Sequence, residues 1–368
     1  MKKKIFSILF ATILLLSMSL ATAVPAAAAD TDAQKAAVLA AADRLVGLQN
    51  ADGGFPWKIT VPPGASATNC LGVTAMGIME AWKLDPRDTY NAALAKAYKY
   101  CVDKPPAYTW VTDKYKETTA GVDSFPDVTF LLKLANAADS DEVLLDAIQE
   151  EMEETTVNDI GALAKSRWDD RVLYLGSTQQ TLPNGTATGL AKYIRDARHG
   201  QDYDALIPWD LETGVKAALA LDNAYSEQGY DDQATDIAEV IFGAVDDGVH
   251  FNSTDQTQED YIAGLTGAIE AFEEVNLHQT MVVYLMDLLL NEQEDDGYWN
   301  YYGAIPVDMS VQSTAYAVMA LFEEGSDEAV SAANAAADWL VSSQKGDGGW
   351  FSEDGAGDEY AEIDSEAA

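Results

Sequence analysis

Basic residues are scarce in this chain. Lys and Arg total 22 against 61 Asp and Glu, a formal charge of −39, and only six of the 22 are Arg. So acidic a chain repels phosphate backbones and anionic headgroups, which excludes nucleic acid and a charged membrane surface as partners. Cysteine is scarcer still: Cys70 and Cys101 are the only two. The three histidines, His199, His250 and His278, are widely spaced and have no matching cysteine, so no zinc-ligand motif is present. Long hydrophobic runs are confined to the N-terminus, and nothing after it approaches the roughly 20 apolar residues of a membrane span. Stable membrane insertion is therefore not expected. Strand-like alternation is also missing, while 48% hydrophobic and 23% charged residues exclude wholesale disorder.

What is present begins with an export signal. Met1-Lys-Lys-Lys4 precedes an apolar run from Ile5 to Leu20 and a small-residue cleavage zone ending at Ala29. The expected organisation is a secretory signal over 1–29, one folded domain over 30–350 and an acidic tail over 351–368. Removing Lys2, Lys3 and Lys4 leaves 19 basic against 61 acidic residues, a charge of 19 − 61 = −42 for the mature chain. No cysteine follows the apolar run to accept a lipid, so a soluble, secreted protein is expected.

Export gives the two cysteines a role. Cys70 starts one expected helix (about 68–84) and Cys101 ends the next (about 88–103), with Leu84-Asp-Pro-Arg87 as the turn. In an antiparallel hairpin folded near position 86 they lie at the same level. A Cys70–Cys101 disulfide would close a loop of roughly 30 residues and contribute about 3 kcal/mol; the alternative is two buried thiols.

An internal repeat sets the architecture. Gln49-Asn-Ala-Asp-Gly-Gly-Phe55, Gln293-Glu-Asp-Asp-Gly-Tyr-Trp299 and Gln344-Lys-Gly-Asp-Gly-Gly-Trp350 align without gaps as Q-x-x-D-G-x-[WF]. Each ends an amphipathic stretch, where Gly is a helix stop. Small-residue apolar helices interleave at Cys70–Ala81, Val122–Leu134, Leu211–Ala224, Tyr261–Phe272 and Val311–Phe322. The more charged, one-striped segments fall at about 32–49, 88–103, 141–152, 229–245, 278–292 and 327–343. A period near 50 with two helices per unit predicts an all-α protein of about six helical hairpins, closed into an α/α toroid with inner and outer rings. The stretch from about 153 to 208 breaks the period, and Thr181-Leu-Pro-Asn-Gly185 reads as a long loop over one end.

The Q-x-x-D-G-x-W turn resembles the QW repeat of squalene and oxidosqualene cyclases and the glycine-rich turn of protein prenyltransferase β-subunits. Asp308-Met-Ser-Val-Gln-Ser-Thr-Ala-Tyr316 is similar to the inner-helix start that follows this turn in the cyclases. The resemblance covers about 32 to 350 and implies the toroid, with Gln49, Gln293 and Gln344 as braces between helices. It does not carry the families' chemistry. The cyclase acid motif D-x-D-D is absent; the nearest string, Asp139-Ser-Asp-Glu142, sits at an outer-helix start and reads as a cap. The prenyltransferase zinc set has no counterpart. Complement-like toroids need C-G-E-Q, and here the string is Cys70-Leu-Gly-Val.

Function must then be sought at the rim. Segments leading into the inner helices carry Trp57, Trp110, Arg167, Trp168, Arg171, Trp209, Trp299, Tyr301 and Tyr302, and five of the eight Trp fall there. Aromatic faces at one mouth suit sugar rings or greasy ligands, or simply plug the barrel end. Asp210, Asp308, Glu212 and Asp169, with Asp123, offer acid and base groups for glycosidic cleavage, led by Asp210 and Asp308. Asp52-Gly-Gly-Phe-Pro-Trp57 is similar to a turn of toroidal pectate lyases, which use Asp, Arg and calcium. A polyuronate would be repelled by the charge unless calcium or the Arg pair inverted the local field, so a neutral glycan fits better. Calcium is compatible with the Asp clusters, although no D-x-D-x-D-G loop exists; no cofactor is required. The expected function is binding, with or without cleavage, of a glycan or other small-molecule ligand. The rivals are a non-catalytic cell-surface module and an isoprenoid binder lacking the cyclase acid.

Overall fold

The computed structural model describes residues 32–56, 64–67, 71–103, 125–178, 207–226, 229–246, 258–300 and 309–350. Twelve helices occupy them: α1 Asp32–Leu48, α2 Leu71–Leu84, α3 Asp88–Asp103, α4 Phe125–Ser140, α5 Glu142–Glu151, α6 Val157–Thr178, α7 Ile207–Ala224, α8 Tyr230–Asp246, α9 Gln258–Glu274, α10 Gln279–Asn291, α11 Val311–Glu324 and α12 Asp327–Ser343. The signal, the acidic tail and Cys70 lie outside the described residues. Cys101 is buried at the end of α3, and its pairing with Cys70 stays an expectation.

The two rings form as the repeat predicts. Helices α2, α4, α7, α9 and α11 pack on one another in that order, and α3, α8, α10 and α12 each pack on the inner helix before them. Ala and Gly at the contacts let the helices approach closely: Ala75, Ala81, Ala217, Ala218, Ala268, Ala271, Ala317 and Ala320 are all buried. Short turns make each inner–outer pair an antiparallel hairpin, so the inner helices all begin at one end of the barrel. Caps fix several starts. Asp141 caps α5 by accepting from Leu144 N at 3.0 Å, and Ser310 caps α11 by accepting from Ser313 N at 2.9 Å; each such cap stabilises by about 1 kcal/mol.

The Q-x-x-D-G-x-[WF] turns tie the outer ring. Gln49 Nε2 donates to Gly53 O and to Ala93 O of α3, both at 2.9 Å. Gln293 Nε2 donates to Gly297 O (2.9 Å) and to Ala332 O of α12 (3.0 Å). Gln344 Nε2 donates to Gly348 O and to Ala37 O of α1, both at 2.9 Å. Each amide therefore closes its own turn and grips the next outer helix. The turn glycines have φ of +91, +97 and +87° at Gly53, Gly297 and Gly348, and a Cβ there would overlap the backbone of Lys96, Ala335 and Ala40 respectively. The aromatic follows suit: Trp299 Nε1 donates to Leu289 O at 3.0 Å and Trp350 Nε1 to Leu340 O at 2.9 Å. The third turn joins the last helix to the first, reinforced by Arg44 and Asp347 at 2.6 Å, and the ring is closed.

Two features were not expected. Residues 157–178, within the stretch read as breaking the period, form the 22-residue α6, which packs on α4; Thr181–Gly185 lie outside the described residues. Strands β1 Trp299–Asn300 and β2 Met309–Ser310 pair antiparallel, Trp299 with Ser310, just before α11. Pro56 and Ser66 form the equivalent bridge before α2. Pairs of two residues are too short to show alternation in a sequence.

Candidate active site

Helical spacing builds a charged group between α7 and α9. Glu212 and Lys216 lie one turn apart on α7, and Glu270 and Glu274 one turn apart on α9, which packs directly against it. Lys216 Nζ bonds Glu212 Oε1 at 2.7 Å and also Glu270 Oε2. Glu212 and Glu270 are only 7% and 3% exposed. Burial pushes the Glu270 carboxyl well above the ordinary carboxylate range, and the opposing pull of Lys216 does not cancel it. Burial alone would lower the pKa of Lys216, but Glu212 and Glu270 outweigh it and hold the ammonium charged. Glu274 is also raised, by burial first and by Glu323 second.

The group reaches around the ring. Glu80 of α2 and Lys133 of α4 stand 3.6 Å apart. Lys133 and Lys216 both act on Glu274, and Glu323 of α11 acts on Glu270 and Glu274. All five described inner helices thus contribute charges to one field. Burying Glu212 and Glu270 costs several kcal/mol per ion before pairing with Lys216 recovers it, and apolar side chains would be at least as stable there. Charge in this position is a departure from good packing, and such departures concentrate at functional sites.

Two further buried charged residues, not joined by an ion pair, lie toward the N-terminal ends of the inner helices. Asp127, the third residue of α4, and Arg167 of α6 are 8% and 4% exposed. Burial pushes Asp127 up to about 7 against the pull of Arg167 and a hydrogen bond from the Gly72 N–H.

The residues named from the sequence fall into distinct places. Glu212 joins the inner-ring group. Asp169 does not: it is exposed and pairs with Lys165 along α6 at 2.6 Å, a surface ion pair one turn apart. Trp168 is 1% exposed, tilted against Phe125 (5.4 Å) and edge-on to Tyr230 (6.5 Å), with Nε1 donating to Gln233. Trp299 is fully buried by its brace. Neither indole leaves a face on which a ligand could stack, so both belong to the wall instead of the mouth. Arg167 is buried beside Asp127. Asp210 and Trp209 lie on α7 and Arg171 on α6, with side chains outside the described set; Trp57, Trp110, Tyr301, Tyr302 and Asp308 lie outside the described residues altogether. Among the described residues, no three His, Cys, Asp or Glu side chains converge to hold a metal, and no helix is long and apolar enough to cross a membrane.

Lys216, Glu270 and Asp127 were not foreseen. The available signal was a lone charge inside a small-residue apolar segment, Glu270 in Tyr261–Phe272 and Asp127 in Phe125–Leu132. It was outweighed by the many Asp and Glu of the surface.

Comparison with curated proteins finds no match. Residues 212–367 match the squalene-hopene cyclase C-terminal domain, a stretch running from within α7 through α12 and including two of the three braced turns. With the double ring of helices, this match shows that residues 212–367 are similar to that cyclase domain and that the chain has a terpenoid cyclase-like α/α-toroid fold.

Proposed function

We propose that the protein is exported and acts on a neutral glycan, with Glu270 as the acid and Glu212 as the partner carboxylate of a glycosidic cleavage. The observation that supports this reading is the buried Glu212–Lys216–Glu270 group on the inner ring. Glu270, raised by burial, keeps its proton near neutral pH and is suited to donate it to a glycosidic oxygen. The bond from that oxygen to the anomeric carbon then breaks. Both carboxyl groups are bonded to the same Lys216 Nζ and stand too close for a water between them. The Glu212 carboxylate therefore attacks the anomeric carbon as the bond breaks, giving a glycosyl ester. Water, deprotonated by the Glu270 carboxylate, then hydrolyses that ester and restores both groups. Lys216 holds the two carboxyl groups in register and opposes charge build-up when Glu270 has donated.

A second reading, an isoprenoid-type ligand, has the family match in its favour. The inner faces count against it. Glu80, Lys133, Glu212, Lys216, Glu270, Glu274 and Glu323 present charge where a polyene needs apolar walls, and the sequence has no D-x-D-D.

The experiment is product analysis by mass spectrometry. The mature chain is incubated with pooled neutral and acidic polysaccharides, with and without calcium. New oligosaccharides that vanish in Glu270→Gln and Glu212→Gln support cleavage by this pair. Loss in Asp210→Asn or Asp308→Asn alone would move the chemistry to the rim. An unsaturated uronide would identify a lyase, and no product with retained glycan binding would leave a binding module. Squalene binding without glycan binding would favour the isoprenoid reading.

A further inference from the structure

The two rings differ by one member. Six outer helices, α1, α3, α6, α8, α10 and α12, surround the five described inner helices, with α5 as an extra helix packed on α3. Each of α3, α6, α8, α10 and α12 packs on an inner helix that precedes it in the chain, whereas no described helix precedes α1. Neighbours in the inner order pack on one another, but α11 and α2, its last and first members, are not packed together. The inner order is therefore interrupted between α11 and α2, on the inner side of the join between α12 and α1.

Exposure marks the same place. Among the described inner helices only α11 exposes a large apolar side chain, Met319 at 42%, and Val38 of α1 is 38% exposed. The outer helices that meet at the join bury little: three residues of 17 in α1 and three of 17 in α12, against nine of 16 in α3. These are the helices that a sixth inner helix would cover. Helices α2 and α11 are each 14 residues long, so the slot between them runs for about 21 Å.

The chain ahead of α1 has what the slot lacks. Where an inner helix and its outer partner are consecutive, a short link joins them, 325–326 between α11 and α12 and 225–229 between α7 and α8. Pro25 ends a preceding helix and leaves a link of similar kind to Asp32. Phe10–Ala23 is 14 residues long, uncharged, and half Ala, Ser or Thr, the small-residue apolar composition of the inner helices. A helix ending there, just before an outer helix, would run in the same direction as the other inner helices. The tail 351–368 is a poor occupant, because its seven acids would have to lie against apolar walls. We propose that in the full chain residues 10–23 fill the slot as the sixth inner helix, and that removal of the signal opens the ring between α11 and α2. The slot assignment is independent of the glycan reading, and the opening step rests on the export reading. Removal then frees the sides of α2 and α11, the helices that carry Glu80 and Glu323, only in the exported chain.

The test is photo-cross-linking of the full chain, made by cell-free translation without membranes so that the signal stays attached. A benzophenone-bearing residue replaces Met319 in one sample and Tyr284, exposed on α10, in the other. Mass spectrometry should find the Met319 probe joined to the peptide containing residues 10–23, and the Tyr284 probe not. Leu15→Asp should abolish that product. Amide exchange supplies a second readout. In the chain starting at Asp30, exchange in α1, α2 and α11 should be at least about 10-fold faster than in the full chain, with α7 and α9 unchanged. Equal capture by both probes, capture of another segment, or a product of twice the chain mass would overturn the slot assignment, as would exchange that rises equally in all helices. The export reading is scored separately, from the N-terminus of protein recovered outside the cell. A secreted chain still beginning at Met1 would overturn the opening step and leave the slot assignment standing.

Discussion

Two arcs of the outer ring are held together by different means. From α10 through α12 and α1 to α3, one turn is used three times, and each time a Gln amide bonds its own loop and the next helix. From α5 through α6 to α8 the ties are single solutions. Gln149 Nε2 donates to Thr155 O at 2.8 Å, Arg167 donates to Cys101 O, and Trp168 donates to Gln233. The first arc is standardised, and among its described residues no buried acid is unpaired. The second carries Asp127 and Arg167, with the unmatched acceptor of Asp127. Repeated chemistry makes a frame, and where repetition lapses each tie is made by its own residues.

The sharpest way to break the first arc is Gly348→Ala. The new Cβ meets the Ala40 carbonyl on a backbone with φ of +87°, so a loss of about 4 kcal/mol or more is expected in urea unfolding. The second arc should respond oppositely to Asp127→Asn. Asp127 titrates near 7 in the folded chain against 3.8 unfolded. Between those values the folded state holds a proton that the unfolded state releases, so this group lowers stability as pH rises from about 4 to 7. Below 3.8 it contributes nothing; above 7 its full cost, on the order of 4 kcal/mol, is present. Asn removes that slope, and thermal unfolding at pH 4 and pH 8 should show a gain only at pH 8. Next in size is Gln344→Ala, which leaves Ala37 O and Gly348 O without their donor and should cost about 2 kcal/mol. Smallest is Gly161→Ala in α6. Its Cβ meets only the tip of Tyr225, a side chain that can move, and the helix gain of about 1 kcal/mol offsets the shift. A large loss there would mean the second arc is as rigid as the first.

Legibility in the sequence follows the same division. Gln49, Gln293 and Gln344 could be read because the same contacts recur and the chain aligns with itself. Helix α6 could not: it has no copy elsewhere, and its Trp168 and Arg167 resemble rim residues until their partners on α4, α3 and α8 are known. The inner-ring group was half visible. Glu212 was named, and Lys216 stands one turn from it, but Glu270 lies 54 positions further on from Lys216, and only the packing of α7 on α9 brings it within reach. Asp169 shows the reverse error, since a carboxylate in an aromatic string is read as a site when its helix turns it outward to Lys165.

The join between the last braced turn and the first helix also has a consequence in time. Arg44 and Asp347 are 303 positions apart. At about 5–20 residues per second, α1 is made roughly 15–60 s before the segment that completes its neighbourhood. Through that interval its apolar side, including Ala37, Ala42 and Leu45, has only α2 and α3 to cover it. The earliest made of the described helices is thus among the last to be secured, and a holdase that shields its apolar side during synthesis would act through that interval.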